Sequence, residues 1–359
     1  MRILEIGPVP LVSQVYPDET VYVGTGPDPV SADDPQAFSF SLSRIGHIRT
    51  LLRDPAFDAV FVNRPASTRD AFGPRAIIRQ LANRRALRRG FPVVRPFGDR
   101  ILRLGAAAPI VLFDPSDAPY IAPHALWLWR KADVVFKREL PQDHWRLFMR
   151  TVHADVPTPR FRRIPAHAAI VAKVRPMSLG LSPQEQLAMP QAPLAKSVDV
   201  FFAGALEANS SLREAGMREL RALHARGFSI DIAGTRLPPQ EFYRRCAKAR
   251  IVWSPEGLGH DSFRHYEAAA CGAVPLINRP SIIQYAPFRH GENALFYDPE
   301  PGGLTAMVEH ALARNDELET MGAAARAHVL ARHTLKARVD HMLAAVGAGP
   351  HATTGNGKT

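Results

Sequence analysis

The sequence has little cysteine: two in 359 residues, Cys246 and Cys271. That is too few for a disulfide framework or a cysteine-based zinc site. Cys271 sits in an apolar run between Ala270 and Gly272 and reads as a buried thiol, which suits a reducing cytoplasm. No stretch reaches the roughly 18 uninterrupted apolar residues of a membrane span. The start, Met1–Gly7, is not expected to be a signal peptide, because Glu5 breaks its apolar run and Pro8 and Pro10 follow. No Asp-x-Asp pair stands out as a metal site. In Asp114-Pro115-Ser116-Asp117 the acids are three apart, which fits a turn or an acceptor contact better. Aromatic residues are thin among the arginines of Arg75–Arg103, where a single-strand binder would need them for base stacking.

What is present is basic charge, unevenly placed. The net charge is +11, of which residues 1–180 carry +10. Much of the excess lies in Arg75–Arg103, which reads as a solvated helix face or as a peripheral contact with an anionic membrane; nucleic acid is not favoured. Apolar residues make up 46% and charged residues 22%, an ordinary soluble composition of two or three domains.

Short β-branched and aromatic runs alternate with helical patterns. Strands are expected at 2–6, 20–25, 58–63, 110–114 and 133–137. Helices are expected at about 36–53, 74–89 and 123–131. Residues 176–196 lose the period and read as a linker. The pattern restarts with strands at 198–203, 228–233, 251–254, 273–277 and 292–297. Its helices are expected from Ser210-Ser211 to Gly227 and at 238–249, 263–271, 303–312, 316–332 and 335–346. This is an α/β protein. Its N-terminal, acceptor-side domain is expected at 1–175, the linker at 176–196, the C-terminal domain at 197–346, and a disordered tail at 347–359.

One segment carries chemistry. After the strand at Ile251–Ser254 comes a loop with Gly257 and Gly259, which opens a helix near Ser262. A helix start offers unpaired N–H groups and a positive dipole end, and glycines let a phosphate approach the backbone. Arg264, in the first turn, can bond a diphosphate; Glu267, one turn in, can accept both hydroxyls of a ribose. A capped helix start, with Asp261 or Ser262 as cap, explains the same residues.

Arg264-His265-Tyr266-Glu267-Ala268-Ala269-Ala270-Cys271-Gly272-Ala273-Val274-Pro275 resembles the C-terminal signature of GT-B glycosyltransferases, group 1 or family 4-like. The Ser and Arg ahead of the glutamate resemble the exostosin-like or CgeB-like branch. Gly291-Glu292-Asn293-Ala294-Leu295 is similar to the stretch that follows in the family. The resemblance implies two Rossmann-like domains facing a central cleft, with a nucleotide-sugar, such as a UDP- or GDP-sugar, as co-substrate and no cofactor or metal. It implies that Glu267 holds the ribose. It places Gly259, His260, Asp261, Ser262, Phe263 and Arg264 against the diphosphate and sugar, and Gly204 after the first strand of the donor domain. Ser211 and Arg213, near the next helix start, could reach phosphate or serve as cap and surface residue.

One departure stands out. Many retaining members carry a glutamate eight residues before the ribose glutamate, and that position here is Gly259. Glu256 and Asp261 lie eleven and six residues before Glu267, and Asp261 is the expected substitute, so Asp261 and Glu267 are the catalytic candidates. A retaining hexosyl transfer to a glycan, lipid-linked or small-molecule hydroxyl is the expectation. Asp117 and His124 are the acceptor-side candidates; His47 and His144 qualify as a base by type alone, and Tyr120, Trp127 and Trp129 as stacking platforms. The alternatives are a nucleotide-sugar epimerase of the same fold and a non-catalytic carbohydrate- or nucleic-acid-binding protein. The expected location is cytoplasmic, with peripheral attachment at the inner membrane face open.

Overall fold

The computed structural model describes residues 1–26, 30, 36–63, 95–122, 125–149, 167–190, 194–204 and 211–349. The chain forms two compact units, Met1–Met177 with Val339 onward, and Ser178–Arg338.

The first unit is built on a seven-stranded sheet of β1 (Ile3–Gly7), β2 (Thr20–Gly24), β3 (Ala37–Ser39), β4 (Ala59–Asn63), β5 (Ile110–Asp114), β6 (Val134–Lys137) and β7 (Val174–Pro176). The spatial order is β3-β2-β1-β4-β5-β6-β7, with all neighbours parallel. Strands β1, β4, β5 and β6 are buried at every position, so they read as continuous apolar runs rather than as alternation. Glu5, the acid inside the first run, has its carboxylate satisfied by the N–H groups of Leu11 (2.6 Å), Val12 (3.2 Å) and Ser13 (2.9 Å). Burial still pushes its pKa up. The helix expected over 36–53 is in fact β3 followed by α1 (Ile45–Arg53), because Tyr22, Val23 and Gly24 pair with Ala37, Phe38 and Ser39.

The second unit has strands β8 (Val198–Phe202), β9 (Ile230–Ile232), β10 (Ala249–Trp253), β11 (Val274–Asn278) and β12 (Leu295–Tyr297), in the order β9-β8-β10-β11-β12 and all parallel. Phe201 and Val252 belong to the core on one face; Phe202 and Trp253 belong to the core on the other. That split follows from the two-residue period of a strand. After α1, the first unit holds α2 (Leu126–Lys131) and α3 (His167–Val171); the helices that matter for the site are α4 (Pro183–Ala188), α5 (Ser211–Ala225), α6 (Pro239–Lys248) and α7 (Phe263–Ala270). The expected strand over 292–297 shortens to β12, because residues 291–293 turn to bring Gly291 N–H onto the Ala294 carbonyl at 2.9 Å.

The expected linker at 176–196 needs correction. Ser182 and Glu185 form a capping box that starts α4, and Leu181 and Met189 are buried in the core of the second unit. The prolines hid this period. The C-terminal boundary also moves: the last helix, Leu335–Ala344, crosses from one unit to the other at Arg338/Val339 rather than closing the second unit at 346. The helix expected at 74–89, most of the Arg75–Arg103 patch, His124 and the tail from residue 350 lie outside the described residues. Among those described, no helix is long and apolar enough to cross a membrane.

Candidate functional site

Strand β10 ends in the buried Ser254, and the chain then loops to α7. Two hydrogen bonds through one imidazole set the loop. Ser254 Oγ donates to His265 Nδ1 (2.7 Å), and His265 Nε2 donates to the His260 carbonyl (2.9 Å). A carbonyl can only accept, which fixes the tautomer. Gly257 N–H closes the loop onto the Gly259 carbonyl at 3.0 Å. Ser262 is the extended N-cap residue of α7, yet its side chain makes no cap bond, and the first turn holds no acid. Neither Asp261 nor Ser262 is the side-chain cap that the alternative reading required. Among the described residues, no side chain of the first turn caps the positive end of the helix.

Arg264 sits in that first turn. Its guanidinium lies over the Phe202 ring, 5.3 Å from the centroid. Nε and Nη1 are buried without a hydrogen-bond partner among the described residues. Burial, and then the charge of Arg213, lower its pKa to about 10, so it stays a cation at neutral pH. Gly204, at the end of β8, makes room for it: a Cβ there would stand 2.6 Å from Arg264 Nη2. Arg213, the residue whose placement the sequence left open, turns inward from α5. It is 8% exposed, and its Nε donates to the Glu256 carbonyl at 3.0 Å. Ser211, at the start of the same helix, is exposed. Gly204 therefore abuts Arg264, and Gly257 abuts Arg213, whose Nη2 would stand 3.0 Å from a Cβ there.

Glu267 lies one turn further along α7. Tyr243, on α6, donates its hydroxyl to Glu267 Oε1 at 3.2 Å. Burial, and then the Glu185 carboxylate, push the pKa of Glu267 up to about 7, against the opposing pull of Arg264 and the Tyr243 bond. Adjoining Gly204 is a cavity of about 750 Å³, bordered among others by Gly234, Thr235, Arg236, Leu237 and Phe242. That volume falls in the usual range for small-ligand sites.

The structure corrects the role expected of Asp261. The residue is 2% exposed. Its Oδ2 accepts the Leu179 N–H at 2.7 Å and its Oδ1 accepts the Tyr266 hydroxyl. A carboxylate that accepts from two buried donors holds the loop in place. Glu256, set aside on spacing, is held in the loop instead: its Oε2 is 2.6 Å from His260 Nδ1 and accepts from Asn278 Nδ2 at 3.1 Å. Phe263 is 49% exposed at the head of α7.

Residues 213–344 match the family model described as glycosyl transferase-like. The chain carries a glycosyltransferase-like domain of GT-B fold. Nearly every residue of the pocket just described lies within that domain; Phe202, Gly204 and Ser211 precede it. No curated protein matches the chain in sequence. Among solved structures, a glycosyltransferase from Rickettsia africae superposes with a TM-score of 0.56 at 8% identity, over 96% of this chain and 97% of that one. An α,α-trehalose-phosphate synthase (UDP-forming) from Burkholderia vietnamiensis gives 0.54 at 12% identity, over 96% and 99%. A sucrose-phosphate synthase from Thermosynechococcus elongatus gives 0.51 at 11%, over 95% and 97%. At such identities the likeness is one of fold.

Two residues of the glycosyltransferase-like domain escaped sequence reading: Tyr243 and Asn278. Each carried a signal, since a buried tyrosine needs a hydroxyl partner and an asparagine closing an apolar strand needs amide partners. In the first unit, Asp117 is ion-paired with Arg138, and Asp114 with the fully buried Lys137 at 3.5 Å. Trp129 is fully buried and belongs to the core; Trp127 lies under Arg103, 4.9 Å from the ring centroid.

Proposed function

We propose that the second unit binds a nucleoside-diphosphate sugar and that the chain transfers the sugar to an acceptor hydroxyl. The observation that carries this reading is the Arg264 guanidinium, buried with two nitrogens that have no hydrogen-bond partner among the described residues, beside a helix start without a side-chain cap. A buried cation with unfilled donors calls for an anion, and a diphosphate fits two guanidinium groups at a helix start. Glu267 then takes the ribose, and the cavity beside Gly204 takes the base. Gly259, Ser262 and Phe263 border the same ligand, and Ser211 lies near its phosphates.

Arg213 and Arg264 supply the charge that stabilises the leaving diphosphate, so the transfer needs neither metal nor cofactor. A UDP- or GDP-sugar is the donor class, and uridine is the base to try first, since one fold relative is UDP-forming. The resemblance to the group 1 and exostosin-like or CgeB-like branch supports retention at the anomeric carbon. The acceptor is a glycan, lipid-linked or small-molecule hydroxyl met by the first unit, with Asp117 at hand. Arg75–Arg103 would attach a cytoplasmic enzyme peripherally to the membrane face. The test is a thermal-shift screen of UDP-, GDP-, ADP- and dTDP-sugars in the presence of EDTA. One base series should raise the melting temperature of the wild type and leave Arg264→Ala unmoved. No shift with any of them overturns the reading.

A further inference from the structure

The site residues are successive neighbours. Tyr243 and Glu267 stand 3.2 Å apart, and Glu267 feels the charge of Arg264. Arg264 follows, packed against Gly204, and then Arg213, which abuts Gly257 and holds the Glu256 carbonyl at 3.0 Å. At the far end stand Glu256 and His260. The ribose, diphosphate and sugar of a nucleoside-diphosphate sugar come in the same order, so the sugar falls at Glu256 and His260.

His260 is held there from both sides. Nδ1 lies 2.6 Å from Glu256 Oε2, and Nε2 lies 2.8 Å from Ser281 Oγ. Glu256 is itself anchored by Asn278, whose Oδ1 accepts the Glu256 N–H (2.8 Å) and whose Nδ2 donates to Oε2 (3.1 Å). With Nδ1–H donated to the carboxylate, the neutral ring presents Nε2 as an acceptor to a hydroxyl. Ser281, which offers that hydroxyl, is exposed.

We propose that Glu256 and His260 act as one carboxylate–imidazole unit that receives the donor's sugar, Nε2 taking a sugar hydroxyl in the place where the Ser281 hydroxyl now sits. His260 touches the sugar; Glu256 is a positioning residue that fixes the tautomer and aim of the ring. The inference rests on the donor-site reading above.

The experiment is calorimetric titration of the full chain with matched pairs: UDP and UDP-glucose, GDP and GDP-mannose. The readout is the affinity ratio of sugar-nucleotide to bare diphosphate, which general destabilisation does not move. His260→Ala should lower the ratio about tenfold for the pair that binds, as when a site built for a hydroxyl loses its partner, and leave the diphosphate affinity within about threefold. Glu256→Gln, which keeps an oxygen for the backbone-anchored loop, should lower the ratio in the same direction. Melting curves establish that both variants fold. An unchanged ratio in His260→Ala with diphosphate still bound overturns this inference and leaves the donor site standing. A wild-type chain that binds neither pair overturns the donor site and the inference with it.

Discussion

The Tyr243 hydroxyl stands 3.2 Å from Glu267 Oε1, so helix α6 reaches across to the buried carboxylate on α7. This bond and the nearby Arg264 charge both favour the ionised carboxylate, but burial and Glu185 outweigh them and set its pKa at about 7. The folded state therefore holds the proton more tightly than the unfolded chain. Between the ordinary value of 4.5 and about 7, stability falls as pH rises. Glu267→Gln does not titrate. It should gain on the wild type across that window, by on the order of 2–3 kcal/mol at pH 8, with the gain gone near pH 4. Chemical denaturation at the two pH values measures it, and equal differences at both would refute the buried, proton-holding carboxylate.

Binding at the same residue should show the opposite sense. On the proposed reading the ionised Glu267 would accept both ribose hydroxyls, so nucleoside-diphosphate affinity should rise from pH 6 to pH 8. Glu267→Ala should lose most of the affinity with the fold intact. Titration calorimetry across pH reads both, and a flat pH profile in the wild type would count against the ribose role.

Arg264→Ala should weaken a diphosphate by about 100-fold and the matching nucleoside hardly at all, since a desolvated charge-assisted pair is worth a few kcal/mol. Equal losses for the two ligands would remove Arg264 from the phosphate.

Two glycines separate binding from stability. At Gly204 an added methyl meets the tip of a flexible arginine at 2.6 Å. Gly204→Ala should displace the guanidinium, weaken diphosphates about tenfold and cost under about 1 kcal/mol of stability. At Gly216, inside α5, the methyl would stand 2.2 Å from the Trp253 ring, which is fully buried and hydrogen-bonded to Tyr297 Oη at 3.0 Å. The overlap outweighs the roughly 0.5–1 kcal/mol that alanine gains over glycine in a helix. Gly216→Ala should lose about 1–3 kcal/mol. A more stable Gly216→Ala would mean that α5 and β10 pack less closely.

Asp261→Ala should unfold more easily, by about 2–4 kcal/mol, because it strips two buried donors, the Leu179 N–H and the Tyr266 hydroxyl, of their acceptor. Full stability with lost activity in that variant would restore Asp261 to the sugar.

The sequence by itself determined the two α/β halves, nearly every parallel strand, and the strand–loop–helix from Ile251 to Ala270 with Arg264 and Glu267 on it. These features are local: fully buried strands are continuous apolar runs, a helix start has its own chemistry, and Gly272, at φ +73°, marks the turn that ends α7. Only the tertiary structure decided the rest. It hid Asp261 under Leu179 and Tyr266, turned Arg213 inward, and set Glu256 against His260 and Asn278. Spacing along a chain gives which residues share a helix face, but Leu179 and Asn278 come from other elements, and burial by distant segments settles whether a carboxylate is a structural acceptor or an open one.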